Sequence, residues 1–388
     1  MKKDLFNKRV ELLPDSKVSN LFSIARTLEN VISLGVGEPD FDTPWNVRSE
    51  AIYQIEKGNT FYTDNNGFLE LREEISRYVK RKFALEYRAE DEILCTVGGS
   101  EGLDIIMRTF LNEGDEVILP QPAYMAYEPC ILLAGGVIKT IELKEENQFK
   151  LTKEDLRSAI TEKSKLLMLN FPSNPTGGVM TKEDYMELVP LIKEYGLIVI
   201  SDEIYAELSY TCKHFSIAQM EEIFEQVIYL NGFSKAYSMT GWRLGYLCAT
   251  KEICKQLSKV HQYATMCAPT ISQYAGIVAL RECDSDIEKM KQSFEQRRNY
   301  IVKRLNEMGL SCHKPEGAFY VFPSIKSTEL NSEAFCEQLL KEERVAVVPG
   351  TVFGEAGEGY IRCSYAYSLD EIKEALQRIE RFVKGRRT

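Results

Sequence analysis

The chain has 388 residues, enough for two or three domains or for one large core with a smaller one attached. With 44% hydrophobic and 27% charged residues it has a globular composition, and no run approaches the ~20 apolar residues that cross a bilayer. Its formal net charge of −10 leaves no basic surface that would attract nucleic acid.

The cysteines and histidines do not predict a metal site. The 10 cysteines are scattered without a C-x-x-C pair, and His214, His261 and His313 show no ligand spacing with them. The charged N-terminus is not followed by an apolar stretch, so we expect no signal peptide. We therefore expect reduced thiols and a cytoplasmic protein.

The first part of the chain combines an arm with short regular elements. Residues 1–30 are only weakly helical, and we interpret them as an arm that packs elsewhere, such as on a partner subunit. A short strand follows and ends in a turn that begins at Gly37. After a helix that starts near Trp45, Tyr62 lies beside a polar turn, where an aromatic residue usually covers a core.

Two glycines open the next predicted helix. Residues 93–97 predict a strand, and Gly98, Gly99 and Ser100 turn from it into a helix that runs to about Phe110. Such a turn presents free N–H groups at the positive end of the helix dipole, which suits a phosphate. The pattern alone is weak, because many strand-to-helix turns carry two glycines.

Two apolar strands then lead into polar or aromatic residues. The strand at 116–119 is followed by Tyr124 at the head of a predicted helix, where its ring either packs or lies flat on another planar ring. The strand at 165–169 leads to Asn174 in N-P-T-G, which is also a turn signature in its own right.

The most apolar strand, at 197–201, is closed by Asp202. A carboxylate there is expensive to bury without a positive partner, which points to a cationic group nearby. The alternative is a capping or hinge carboxylate.

An amine, a hydroxyl and a guanidinium follow the next strand. Residues 227–230 predict a buried parallel strand, and Ser234, Lys235 and Arg243 come after it. Open α/β sheets bind ligands at this end of their strands. A lysine there can form a Schiff base with an aldehyde cofactor and an arginine can bind a phosphate, although a solvated loop would carry the same charges.

The rest of the chain predicts a smaller unit. Residues 244–249 predict an antiparallel edge strand, and the long helical region 285–308 marks the move into a second domain. A capping box at Ser368 starts the last helix. Arg362 lies among apolar residues of a predicted strand, where a lone arginine is usually an edge charge.

The string N-G-F-S-K-A-Y-S-M-T-G-W-R-L-G-Y, from Asn231 to Tyr246, resembles a known cofactor motif. It is similar to S-K-x-x-x-x-x-G-x-R-x-G of the class I and II pyridoxal-phosphate (PLP) aminotransferases, the family of aspartate and aromatic aminotransferases. The resemblance runs from about residue 30 to the end.

The resemblance implies how PLP is held. Lys235 would form the Schiff base, Asp202 would face the ring nitrogen, and Tyr124 would stack on the ring. The 3-oxygen of the cofactor would meet Asn174 and Tyr205. The phosphate would be bound by residues that lie apart in the chain, namely Gly99, Ser100, Arg243 and, from the neighbouring subunit of a homodimer, Tyr62. Ser234 would also contact the cofactor.

The resemblance also implies a substrate site and a reaction. Arg362 would fork onto the substrate α-carboxylate, beside the bare backbone of Gly37 and near Asn174. The expected activity is transamination between an L-amino acid (aromatic, aspartate or related) and a 2-oxo acid such as 2-oxoglutarate. Kinetics would be ping-pong, with Lys235 as the proton shuttle.

The implied fold is that of the fold-type-I PLP enzymes. It is an α/β fold with a mostly parallel seven-stranded sheet and helices on both faces. The expected units are an N-terminal arm that also contributes to the small domain (1–44), a large PLP-binding domain (45–284) and a small C-terminal domain (285–388).

Two other functions stay open on the sequence. A C–S β-lyase or a racemase on the same fold would use the same lysine, aspartate and arginine. The other alternative is a non-catalytic regulator built on an aminotransferase fold. The preferred amino donor is also open: residues 259–266, a candidate pocket wall, hold no arginine for a second carboxylate. Aromatic or apolar side chains are therefore at least as plausible as aspartate, and the chain also looks similar to enzymes for N-acetyl-diaminopimelate.

Overall fold

The computed structural model describes residues 5–13, 28–211 and 213–386, so residues 1–4 and 14–27 of the predicted arm lie outside the described residues. The strands are β1 (Ile32–Ser33), β2 (Ile93–Thr96), β3 (Glu116–Gln121), β4 (Val137–Glu142), β5 (Ser164–Asn170), β6 (Ile198–Asp202), β7 (Val227–Gly232), β8 (Gly245–Cys248), β9 (Tyr320–Val321), β10 (Val345–Ala346), β11 (Val348–Pro349) and β12 (Ile361–Ser364). The helices are α1 (Lys8–Glu11), α2 (Trp45–Glu56), α3 (Leu69–Phe83), α4 (Gly98–Phe110), α5 (Tyr127–Leu133), α6 (Lys153–Ala159), α7 (Lys182–Tyr195), α8 (Lys251–Ala264), α9 (Thr270–Glu282), α10 (Asp284–Glu307), α11 (Ser332–Glu343) and α12 (Leu369–Lys384).

Seven strands form the large sheet, in the order β2-β8-β7-β6-β5-β3-β4. The pairs from β7 to β4 are parallel, and β8 runs against both of its neighbours. The predicted mostly parallel seven-stranded sheet is therefore confirmed. Asn170 pairs with Asp202, and Asp202 pairs with Leu230, so the carboxyl ends of three adjacent strands meet at one end of the sheet.

The prediction that residues 244–249 form an edge strand is wrong. The strand is antiparallel as expected, but β8 lies between β2 and β7 and is hydrogen-bonded to both. All four of its residues are buried, and an apolar strand of this kind would leave its unpaired backbone groups and side chains in water if it stood at the edge.

Side chains of the sheet alternate between two hydrophobic clusters, one on each face. Ile93 and Leu167 pack with α2, α3, α6, α7 and α9, whereas Leu94 and Leu166 pack with α4, α5 and α8. Strands buried on both faces are near-continuously apolar, which is the pattern that the sequence shows. Helices therefore cover both faces, as predicted.

A third hydrophobic cluster contains most of the C-terminal part. Phe294 of α10, Phe335 of α11 and Phe382 of α12 pack there with two small sheets, parallel β1-β10 and antiparallel β11-β12-β9. The pairing of β1 with β10 brings Ile32 and Ser33 to the C-terminal part of the chain. The domain boundaries at 44/45 and 284/285 stay a prediction.

The helix starts follow the capping residues of the sequence. Thr181 and Ser368 each form a capping box, at the starts of α7 and α12. Among the helices of the described residues, none combines the length and the apolar character that a membrane crossing needs.

Candidate active site

A cavity of about 410 Å³ is lined by the carboxyl ends of β5, β6 and β7, by β12 and by the segment after β1. This is the end of the strands at which open α/β sheets bind ligands. Except for Tyr62, every residue predicted for the site lines this cavity, namely Gly37, Gly99, Ser100, Tyr124, Asn174, Asp202, Tyr205, Ser234, Lys235, Arg243 and Arg362.

Lys235 lies in the loop that leaves β7. Its Nζ donates a 2.6 Å hydrogen bond to the carbonyl oxygen of Gly37, and it lies 6.0 Å from the ring centroid of Tyr205. Burial lowers the pKa of Lys235 to about 8, and the positive charge of Arg362 acts in the same direction. An amine with a pKa this close to neutrality can act both as a nucleophile and as a base.

Gly37 occupies a place where no side chain fits. A Cβ at this position would lie 2.1 Å from the hydroxyl oxygen of Tyr320. That hydroxyl in turn lies 2.8 Å from the hydroxyl of Tyr205, so the two tyrosines and the backbone of Gly37 form one wall of the cavity. The predicted contact of Gly37 with a substrate carboxylate stays a prediction.

An anion site is built around the first turn of α4. A Cβ on Gly98 would lie 2.8 Å from Nη2 of Arg243, so the guanidinium lies against this turn. A Cβ on Gly245 would lie 2.7 Å from the carbonyl carbon of Gly98, so only glycine lets β8 approach. Among the described residues, Glu101 accepts from the N–H of Val97, and no N-cap side chain takes the N–H groups of the first turn of α4, which add to the positive charge. Ser100 and Ser234 line the same cavity.

Asp202 ends β6 and is 5% exposed. Its Oδ2 accepts a 2.7 Å hydrogen bond from the Tyr127 hydroxyl, and its Oδ1 accepts a 3.2 Å bond from the N–H of Ile204. Burial raises the pKa of Asp202 to about 6 in spite of these donors. A carboxylate in this state is stabilised by any cation that enters the cavity.

Arg362 lies in β12 and is buried. Its Nη1 donates to Oδ1 of Asn174 at 2.9 Å and its Nη2 to the carbonyl of Gly35 at 2.6 Å. The guanidinium lies 4.4 Å from the ring centroid of Tyr320 and 4.8 Å from that of Phe353. Its buried Nε has no partner among the described residues, so the group retains capacity for a ligand.

Tyr124 lines the cavity but does not begin a helix, so that detail of the prediction is wrong. Residues 125–126 form a turn, and α5 begins at Tyr127. The N–H of Ala123 donates to the carbonyl of Phe353 at 2.8 Å, so the residue before Tyr124 is bonded outside any helix. The Tyr124 ring stands edge-on to Tyr127, with the two centroids 5.5 Å apart.

Tyr62 lies apart from the cavity, and its side chain is 80% exposed. Its predicted role in a neighbouring subunit stays a prediction. Sequence reasoning missed other lining residues, among them Asn170, Tyr127, Tyr320 and Phe353. The alternation of residues 317–322 would have placed Tyr320 on one face of its strand, but no local pattern tells which face meets the site.

The donor set fits an aldehyde cofactor that carries a phosphate and a basic ring nitrogen. Lys235 supplies an amine, Arg243 and α4 supply a phosphate site, and Asp202 supplies a buried carboxylate that needs a cation. Pyridoxal phosphate has these three groups. The fold and the site therefore define a PLP-dependent enzyme.

Comparisons with known proteins give the family. The family model for aminotransferase class I and II matches residues 29–379. The chain is 49% identical over 374 residues to YugH of Bacillus subtilis, covering 96% of this chain and 97% of that protein. It is 42% identical to aromatic-amino-acid aminotransferase 2 of Thermococcus litoralis, with 98% of each chain covered. The crystal structure of an aromatic aminotransferase from Pyrococcus horikoshii superposes with a TM-score of 0.90 at 43% identity, covering 94% of this chain and 99% of that one.

The chain thus belongs to the class I and II aminotransferases, and it is a PLP-dependent transaminase. The family, fold class, enzyme class and cofactor predicted from the lysine motif are confirmed. The roles of single residues stay predictions.

Proposed function

We propose that this enzyme moves an amino group between an L-amino acid and a 2-oxo acid such as 2-oxoglutarate, and that it prefers aromatic donors over aspartate and related ones. The observation that carries this preference is the set of cations in the cavity. Among the described residues that line it, the lysines and arginines are Lys235, Arg243 and Arg362, and each already has a task. The remaining wall includes Tyr320 and Phe353, which suit an aromatic side chain.

Residues of the cavity take distinct steps of this reaction. Arg362 binds the α-carboxylate with its N–H groups, which orients the α-carbon toward Lys235. Nζ of Lys235 holds the cofactor and later removes the α-proton. Its pKa of about 8 favours this, because a sizeable fraction of the amine is neutral at physiological pH. When bound, the cofactor accepts the electron pair left at the α-carbon, and Asp202 stabilises the positive charge of its ring nitrogen. One oxo acid leaves before the other enters, so we expect ping-pong kinetics.

A panel of amino donors with 2-oxoglutarate tests the preference. We expect kcat/KM for tyrosine and phenylalanine to exceed that for aspartate by about 10-fold or more, since a second carboxylate would be desolvated in this cavity without a cation. A higher value for aspartate would contradict the proposal. Release of pyruvate and ammonia from cystathionine without any 2-oxo acid would instead support the C–S β-lyase reaction.

We also propose a homodimer, supported by an exposed aromatic patch formed by Phe61, Tyr62 and Tyr263. These side chains are 80, 80 and 87% exposed. Asn65, in the segment after Tyr62, donates a 3.0 Å hydrogen bond to Gln262, so the two parts of the patch are neighbours. An apolar patch of this kind marks an interaction surface, and in the dimer Tyr62 would reach the partner's cofactor phosphate.

Sedimentation tests the dimer. We expect the native chain to sediment at twice its 44.4 kDa, and Tyr263→Asp to shift it toward the monomer, because a buried unpaired carboxylate weakens an apolar interface. Tyr195→Asp is the matched control, since Tyr195 is also exposed but lies at the end of α7. A native monomer at micromolar concentration would rule the dimer out.

A cytoplasmic location is supported by the thiols. Every cysteine of the described part of the chain is free, and most are buried. Recovery of the protein from an exported fraction would argue against this location.

A further inference from the structure

Tyr127 is a buried residue that contacts Asp202 directly. It is not among the site residues that the sequence predicted. It is 1% exposed, and its hydroxyl donates to Oδ2 of Asp202 at 2.7 Å. The other carboxylate oxygen accepts only the longer bond from the N–H of Ile204 among the hydrogen bonds of the described residues. Tyr127 is therefore the closer of the two donors that favour the ionised carboxylate.

The hydroxyl of Tyr127 acts as a hydrogen-bond donor to this carboxylate. Burial raises the pKa of the phenol, and the charge of Asp202 raises it further, so the group stays protonated and donates. The ring packs in the cluster formed with α4 and α8, edge-on to Tyr124 at 84°. These contacts fix the direction from which the hydroxyl reaches Asp202.

We propose that Tyr127 is a positioning residue that holds the Asp202 carboxylate ionised and aimed into the cavity, and thereby sets how tightly the chain retains its cofactor. The inference rests on the proposed role of Asp202 opposite the ring nitrogen. Packing alone would explain why Tyr127, at the start of α5, is buried. Its hydrogen bond to Asp202 gives it a function in the reaction as well.

Tyr127→Phe removes the hydroxyl and keeps the ring. A hydrogen bond to a charged group carries enough free energy that we expect pyridoxal phosphate to bind about 10-fold more weakly, measured by equilibrium dialysis of the full chain. We also expect kcat to fall about 10-fold while KM for the amino donor changes less than about two-fold, because the carboxylate acts on the cofactor and not on the substrate.

Tyr78→Phe is the matched control. Tyr78 is also 1% exposed, and its hydroxyl donates at 2.9 Å to the carboxylate of Glu207, which is partly buried, but neither residue lines the cavity. Both variants lose a hydrogen bond between a tyrosine and a carboxylate, so the control reports how far such a loss affects cofactor binding through the stability of the fold alone. If Tyr127→Phe weakens cofactor binding no more than Tyr78→Phe does, the inference is overturned.

A double-mutant cycle with Asp202→Asn separates this inference from the proposed role of Asp202. We expect Asp202→Asn to weaken cofactor binding, and Tyr127→Phe to add less than about two-fold in that background, because the hydroxyl acts through the carboxylate. An equal loss in both backgrounds overturns the role of Tyr127 alone. Full cofactor binding by Asp202→Asn overturns the role of Asp202, and the inference with it.

Discussion

Lys235→Ala is expected to reduce transamination by more than about 1,000-fold, because it removes both the group that holds the cofactor and the base that moves the proton. Among the described residues that line the cavity, Lys235 is the one lysine, so no neighbouring amine replaces it. We expect the visible absorbance of the bound cofactor to change in the same variant. Steady-state rates with the best amino donor and an absorbance spectrum check both effects.

The control for this variant is Lys259→Ala. Lys259 lies on α8 in an exposed position, where it donates to Gln256 at 2.7 Å, and its loss is expected to change the rate less than about two-fold. A Lys235→Ala enzyme that turned over at a near-native rate would refute the assignment of Lys235.

Arg362→Lys should lower kcat/KM for the amino donor by about 100-fold, since an ammonium cannot form the two parallel hydrogen bonds of a guanidinium. The guanidinium is held at a fixed orientation by Asn174 and Gly35 and lies 4.4 Å from the Tyr320 ring centroid, and a lysine would lose both restraints. We expect this loss of kcat/KM to appear as a higher KM for the amino acid and for the oxo acid alike, because both carry the same carboxylate.

Arg297→Lys is the matched control for Arg362. The Arg297 guanidinium also lies over an aromatic ring, 5.3 Å from the centroid of Phe41, and is held by a polar partner, Asp40, at 2.7 Å, but Arg297 does not line the cavity. Its replacement is expected to leave kcat/KM within about two-fold. A value of kcat/KM for Arg362→Lys within the same range would mean that the substrate carboxylate binds elsewhere.

The residues at strand ends could be predicted from the sequence. Asp202 and Lys235 each follow an apolar run, and the carboxyl ends of parallel strands meet at one end of a sheet. The class of cofactor came from the resemblance of the motif that holds Lys235 and Arg243 to that of a known family. The placement of Asp202 and Lys235 in one cavity could be predicted because it depends on local sequence together with a general rule of sheet topology.

The partners of those residues could not be predicted in the same way. Tyr127 meets Asp202 across 75 residues, and the carbonyl of Gly37 meets Lys235 across 198. Which face of a helix or strand turns toward such a partner is decided by packing between distant elements. The prediction of an edge position for β8 was wrong for the same reason. β8 pairs with β2, and these two segments are far apart in the chain.

The backbone after β1 contacts both the arginine proposed for the substrate carboxylate and the lysine proposed for the cofactor. The carbonyl of Gly35 is held by Arg362, and that of Gly37, two residues later, is held by Lys235. Carbonyl oxygens with one residue between them thus orient the group proposed to bind the substrate and the amine proposed to hold the cofactor. We expect any change in the path of this short segment to disturb both groups together.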